Sequence, residues 1–308
     1  MQIFDLEAIT EHSGLVLVDT DLQSRGRCIQ KEIYNMGSFD EIDSRGLLKN
    51  IGYLKTFIKI LNIPNVRTVP EVAEELLKFA FILGEKLVFL TQKENELRSC
   101  SSANLPKKKA SEVSRHRALY NKSELNSGLL NRLQGLAYTL SQISRQNQLE
   151  FDNPHYSGFF NIMKDTAKLL GIEASDTDIH LAATLYWTTM FSSESNSLIS
   201  NDHHIFELYQ YLPIFLSGDI FSPFNTRFND HLYSNPPHIF KRKPTGFEEI
   251  PTLDMLEHKY RISTLTLDKK GVIRAINSSK EFWKTFYEAY GTNHYHVDFS
   301  TRRLQLVA

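Results

Sequence analysis

Cysteine is nearly absent from this chain. Its 308 residues hold two, Cys28 and Cys100, in unrelated surroundings. With no companion Cys or His at ligand spacing, a structural zinc site of the finger or ribbon kind is excluded. The expected state is two free thiols rather than a disulfide. An excess of one charge is also missing: Lys and Arg number 35, Asp and Glu 36, for a formal net charge of −1. A nucleic-acid partner would have to be held by local basic patches, because the chain as a whole does not attract a polyanion. Long apolar runs are missing too. The most apolar stretch, residues 76–90, is broken by Lys78, Glu85 and Lys86, which is too much charge for a lipid-spanning helix. Met1 is not followed by a basic segment and an apolar run, so no signal peptide is expected. A Gly-rich phosphate loop and a Gly-x-Ser-x-Gly elbow are likewise missing. The expectation is a cytoplasmic protein with no membrane partner.

What is present supports a folded core. Apolar residues make up 41% and charged residues 23%, a balance that excludes a disordered chain. Residues 14–18, Gly-Leu-Val-Leu-Val, form a continuous apolar run of strand length. Such a run predicts a strand buried on both faces, as in a parallel sheet. Asp19, Thr20 and Asp21 follow it; Asp21 alone also reads as a cap for the next helix. Residues 22–62 read as helical, with Leu47, Leu48, Ile51, Leu54, Phe57, Ile58 and Leu61 at helical spacing, and Pro64 ends the run. Residues 66–69 predict a second short strand, and Pro70 suits the first turn of the next helix. That helix carries Glu71, Glu74 and Glu75, and residues 87–91 read as a further strand.

Residues 93–123 turn polar and basic, with Lys107, Lys108, Lys109, Arg115 and Arg117. A solvated charged loop and a phosphate-contacting arm explain this segment equally well. Apolar stripes then predict helices over 123–147, capped by Ser123, and over 157–170, stopped by Gly171. Next comes Ser175-Asp176-Thr177-Asp178, opening a helix with Ala182 and Ala183. Asp178 is the acid of interest there, and Asp176 also reads as a helix cap. A short apolar strand at Leu198 and Ile199 ends in Ser200, Asn201 and Asp202. A helix over 205–212 is expected to end at Pro213. Pro236 and Pro237 mark a boundary, beyond which Lys241, Arg242 and Lys243 form a second basic cluster. Residues 262–276 read as a hairpin, followed by a helix to Gly291 and a last strand over 294–299 that continues towards Leu306.

The ordered set Asp19-Thr20-Asp21, a helix acid best placed at Glu75, with Glu71 and Glu74 as alternatives, Asp178 before a small-residue helix, and Ser200-Asn201-Asp202 at a strand end resembles the PIN-domain nucleases. The similarity covers roughly residues 14–92 and 157–215. It implies an α/β fold: a PIN-like parallel-sheet α/β/α domain over residues 1–235, with a helical, basic insertion at about 93–156 and a small α+β unit over 236–308. It implies that Asp19, Glu75, Asp178 and Asp202 converge at the carboxyl ends of the strands. Asp19 and Asp178 would be direct metal ligands, with Glu75 and Asp202 completing the shell. Thr20, Asp21, Asp176, Ser200 and Asn201 would be auxiliary. Packed carboxylates repel one another, and a divalent cation supplies the missing positive charge. Oxygen donors point to Mg2+ or Mn2+, and the implied reaction is hydrolysis of a phosphodiester. Family members mostly cut RNA, so RNA is the expected substrate, with DNA as the alternative. Lys107, Lys108, Lys109, Arg115, Arg117, Lys241, Arg242 and Lys243 are the candidate backbone contacts. Compact members often dimerise and many are toxins paired with antitoxins, so the resemblance makes a homodimer and an inhibitory protein partner further expectations. A catalytically inactive binding module on the same scaffold is the alternative reading.

Overall fold

Strand β2 (Leu15–Val18) is buried at all four positions and pairs in parallel with neighbours on both sides. This is the arrangement a continuous apolar run requires. The computed structural model describes residues 3–20, 44–101, 110–151, 153–192, 194–217, 236–243, 245–251, 295–298 and 303–306, together with single residues between 277 and 289. Before β2 come β1 (Ile3–Phe4) and helix α1 (Leu6–His12), whose N-cap is Asp5. The chain divides into two compact units. The first comprises residues 1–22, 64–71 and 147–308; the second comprises residues 23–63 and 72–146.

The first unit is built on a six-stranded sheet. Besides β1 and β2 it contains β3 (Val66–Arg67), β4 (Asn196–Ile199), β5 (His238–Lys243) and β6 (Gly246–Ile250). The strand order is β1-β6-β5-β4-β2-β3. The run β3, β2, β4, β5 is parallel, and β6 and β1 add antiparallel strands at one side. This is an α/β fold with a mostly parallel sheet. The sheet continues past Pro237, where the sequence pattern marks a boundary, because β5 takes its place directly beside β4. Beyond β3, Thr68 and Gln148 form an isolated parallel bridge, with Leu149 N–H donating to the Thr68 carbonyl at 2.7 Å.

Three helices of this unit pack on one another: α5 (Pro154–Leu170), α6 (Asp176–Thr189) and α7 (His203–Ser217). Helix α5 starts with Asn153 as cap and Pro154 in its first turn. It stops at Gly171, whose left-handed backbone (φ 69°) carries its N–H back to the Ala167 and Lys168 carbonyls. Trp187, fully buried, meets the rings of Phe151, Tyr156, Phe159 and Phe191. Helix α7 does not end at Pro213 as its sequence predicts. The missing N–H of Pro213 would have bonded the Tyr209 carbonyl, and the Tyr186 hydroxyl donates to that carbonyl instead, at 2.9 Å. Part of the expected last strand is two antiparallel strands, β7 (Tyr295–Asp298) and β8 (Arg303–Leu306). The predicted hairpin over 262–276 lies outside the described residues.

The second unit contains helix α2 (Ser44–Leu61), most of α3 (Pro70–Ser101) and α4 (Ala110–Gln146), with α2 packed on α4. Helix α3 begins at Pro70 as expected and runs on through residues 87–91, where the sequence reads as a strand. The Thr91 hydroxyl donates to the Leu87 carbonyl four residues back, a helical bond. Helix α4 starts at Ala110, so Ser123 lies inside it rather than capping it. No helix among the described residues is long and apolar enough to cross a membrane.

Candidate functional site

At the carboxyl ends of β2 and β4, a chain of hydrogen bonds joins three residues that the sequence pattern singles out. Asp19 follows β2 and is 2% exposed. Its backbone N–H donates to the Ile199 carbonyl, which ties the two strand ends together. Ser200 donates its hydroxyl to Asp19 Oδ2 at 2.6 Å, and Ser200 Oγ accepts the Asp202 N–H at 3.0 Å. Thr20 donates to Asp19 Oδ1 at 3.2 Å. Asn201 turns to the next strand, where its Oδ1 accepts the Arg242 N–H at 3.0 Å. One buried hydroxyl therefore sets both acids.

Asp178 stands in the first turn of α6. Ser175 is the N-cap of that helix, and its hydroxyl accepts the Asp178 N–H. Asp178 Oδ2 in return accepts the Ser175 N–H at 2.8 Å and its hydroxyl at 2.7 Å. This reciprocal capping box fixes the carboxylate. The cap is therefore Ser175, not Asp176; Asp176 is exposed and pairs with Lys164. Asp178 is 7% exposed, and burial pushes its carboxyl above the ordinary range. The charge of Asp202 pushes in the same direction, while the Ser175 hydrogen bonds and His204 oppose it. Asp178, Asp202 and His204 are thus electrostatic neighbours.

Asp202 caps α7, its Oδ1 accepting the His204 N–H at 2.9 Å. The same oxygen lies 3.2 Å from His204 Nδ1 and 3.6 Å from His203 Nδ1. One donor atom from each of Asp202, His203 and His204 falls within 4.8 Å of the other two. The motif reading did not include these histidines. Their signal was present in the sequence as two imidazoles directly after the acid.

Glu75 lies on α3 in the second compact unit, half-buried. Asp19, Asp178 and Asp202 lie in the first unit. Glu71, on the same helix as Glu75 but in the first unit, accepts from His180 Nδ1 at 2.7 Å. His180 is on α6, two residues beyond Asp178, beside the rings of Tyr156 and Phe160.

Lys241, Arg242 and Lys243 end β5 next to Asn201. Lys241 Nζ stands 5.5 Å from the centre of the Phe206 ring, and Lys243 pairs with Glu248. Arg115 and Arg117 lie on α4. Asp21, Lys107, Lys108 and Lys109 lie outside the described residues, as does Cys28. Searches of protein-family models, of curated proteins and of solved structures each found no match to this chain.

Proposed function

We propose that this protein is a metal-dependent phosphodiesterase, a ribonuclease of PIN-like type. The observation that carries the reading is the linkage of Asp19, Ser200 and Asp202 at adjacent parallel strand ends, with Asp178 as electrostatic neighbour of Asp202. Ligands of open α/β sheets bind at the carboxyl ends of the strands.

The donor set fits a divalent cation. Asp178 engages Ser175 through Oδ2 alone, and Oδ1 has no hydrogen bond among the described residues. A buried carboxylate facing a second acid has an excess of negative charge that a cation relieves. Asp19, Asp178 and Asp202 would hold Mg2+ or Mn2+. When bound, the ion activates water and offsets charge on the phosphoryl oxygens. Ser200 and Thr20 orient the Asp19 carboxylate, and Ser175 orients that of Asp178. Lys241, Arg242 and Lys243 supply cationic groups for the phosphate backbone of single-stranded RNA, a sequence-independent contact.

Cleavage of labelled single-stranded RNA and DNA tests this reading, with wild type and Asp178→Asn, in Mn2+ or in EDTA. Cutting by the wild type alone, and only with metal, is the expected result. Undiminished cutting by a folded Asp178→Asn variant removes the assignment.

A binding module without catalysis is the second reading. The observation favouring it is that Asp178 and Asp202 both have a structural duty, as capping-box partner and as helix cap. RNA binding that persists in EDTA, with no heat of Mn2+ binding by calorimetry, selects this reading over the nuclease.

A further inference from the structure

Imidazole nitrogen stands where an all-oxygen magnesium site would have none. His204 is 26% exposed and His203 73% exposed, with ring centroids 3.8 Å apart. Both follow Asp202 in the first turn of α7. Donor atoms of Asp202, His203 and His204 already lie within 4.8 Å of one another. Ligands bound to one ion at about 2.0–2.2 Å stand closer together than that, so closing the set requires the side chains to move.

We propose that His203 and His204 add imidazole nitrogen to the cation site beside the carboxylate of Asp202, making it a mixed nitrogen and oxygen site, and that it selects Mn2+ or a later first-row transition ion over Mg2+. The proposal rests on the metal-site reading above and deepens it. Carboxylate and water ligands suit Mg2+, whereas imidazole favours the transition ions. Two neutral nitrogens in place of two oxygens shift the preference in that direction. His204 has the position of a direct ligand. His203, more exposed, is the second donor and moves to the ion by rotation about its own side-chain bonds.

The test uses the full chain without added nucleic acid. Calorimetric titration with MnCl2 and with MgCl2 gives the two affinities, and pulsed electron paramagnetic resonance of the Mn2+ form reports nitrogen bound to the ion. The expected result is Mn2+ binding tighter than Mg2+ by about tenfold or more, with nitrogen coupling in the spectrum. The double variant His203→Gln, His204→Gln is expected to lose the coupling and most of the Mn2+ preference. His203→Gln alone alters an exposed side chain and keeps the test decisive if the double variant fails to fold; it is expected to weaken the coupling. Equal affinities without nitrogen coupling overturn the proposal, as does coupling unchanged in the double variant. Mn2+ binding with no nitrogen coupling, together with RNA cleavage, removes this inference and leaves the nuclease reading. Nitrogen coupling without cleavage does the reverse. No binding of either ion removes both.

Discussion

Ser200 donates its hydroxyl to Asp19 Oδ2 at 2.6 Å, across 181 positions of sequence. The Ser200 hydroxyl oxygen in turn accepts the N–H of Asp202. A single buried hydroxyl thereby connects the acid at the end of β2 with the acid at the end of β4. Ser200→Ala removes a donor from one buried group and an acceptor from another. The expected loss is about 1–3 kcal/mol of stability, measured by chemical denaturation. Ser200→Thr, which keeps the hydroxyl, is expected to lose less.

Asp178 sets a pH dependence. Its folded carboxyl lies above the ordinary value of 3.8, first because it is buried and then because Asp202 is near. The folded state therefore binds the proton more tightly than the unfolded state. Without metal, stability falls as pH rises from 3.8 through the raised folded value, and the penalty is complete above it. Asp178→Asn is expected to raise the metal-free Tm near neutral pH, and the gain is expected to shrink as pH falls through that window. A variant Tm equal to that of wild type at every pH rules this out.

Ser175 holds Asp178 and starts α6. Ser175→Ala is expected to cost about 1 kcal/mol through the lost cap, read from the denaturation midpoint. It also frees the Asp178 carboxylate, so metal affinity is expected to fall with stability. Ser175→Asp, which keeps a cap acceptor but adds charge, is expected to restore part of the stability.

Tyr186 replaces the hydrogen bond that Pro213 does not make. Its hydroxyl is fully buried and stays neutral, because burial pushes its ionisation well above the ordinary range. Tyr186→Phe leaves the Tyr209 carbonyl without this donor, at an expected cost of about 1–3 kcal/mol. The double variant Tyr186→Phe, Pro213→Ala is expected to recover much of it, since alanine restores the backbone N–H. Denaturation of the four proteins in this cycle measures the coupling.

Lys241 tests the nucleic-acid side of the proposal. Each phosphate neutralised on a single strand contributes about −0.7 to the slope of log affinity against log salt concentration. Lys241→Gln is expected to reduce the slope for single-stranded RNA by about that amount. An unchanged slope places Lys241 outside the interface.

Much of the sheet was legible in the chain itself. The run at 14–18 had to be a doubly buried strand because it has no polar face, and β2 is that strand. Pro70 and Gly171 marked helix ends through backbone chemistry that is local by nature, and both stand where expected. Residues 87–91 failed for the complementary reason. A short apolar run has no period of its own, and the surrounding helix α3 decides its state. Pro213 failed because its lost hydrogen bond is replaced by Tyr186, a partner far away in sequence.

The acids show the same division. Residue type and order alone marked Asp19, Asp178, Ser200 and Asp202, because strand ends and helix starts can be read from local pattern. Their grouping is a tertiary result: parallel pairing of β2 with β4 sets Asp19 beside Ser200, and helix packing brings Asp178 within electrostatic reach of Asp202. Which Glu of α3 reaches the helix of Asp178 also depended on tertiary structure. Glu71, Glu74 and Glu75 are alike in sequence, and only the fold gave Glu71 the His180 partner. His203 and His204 were visible as neighbours of Asp202, but their meeting in one cluster follows from the capped first turn of α7. Composition and local periodicity carry information over a few residues, whereas a site is made of groups whose distances are set by strand register and helix packing.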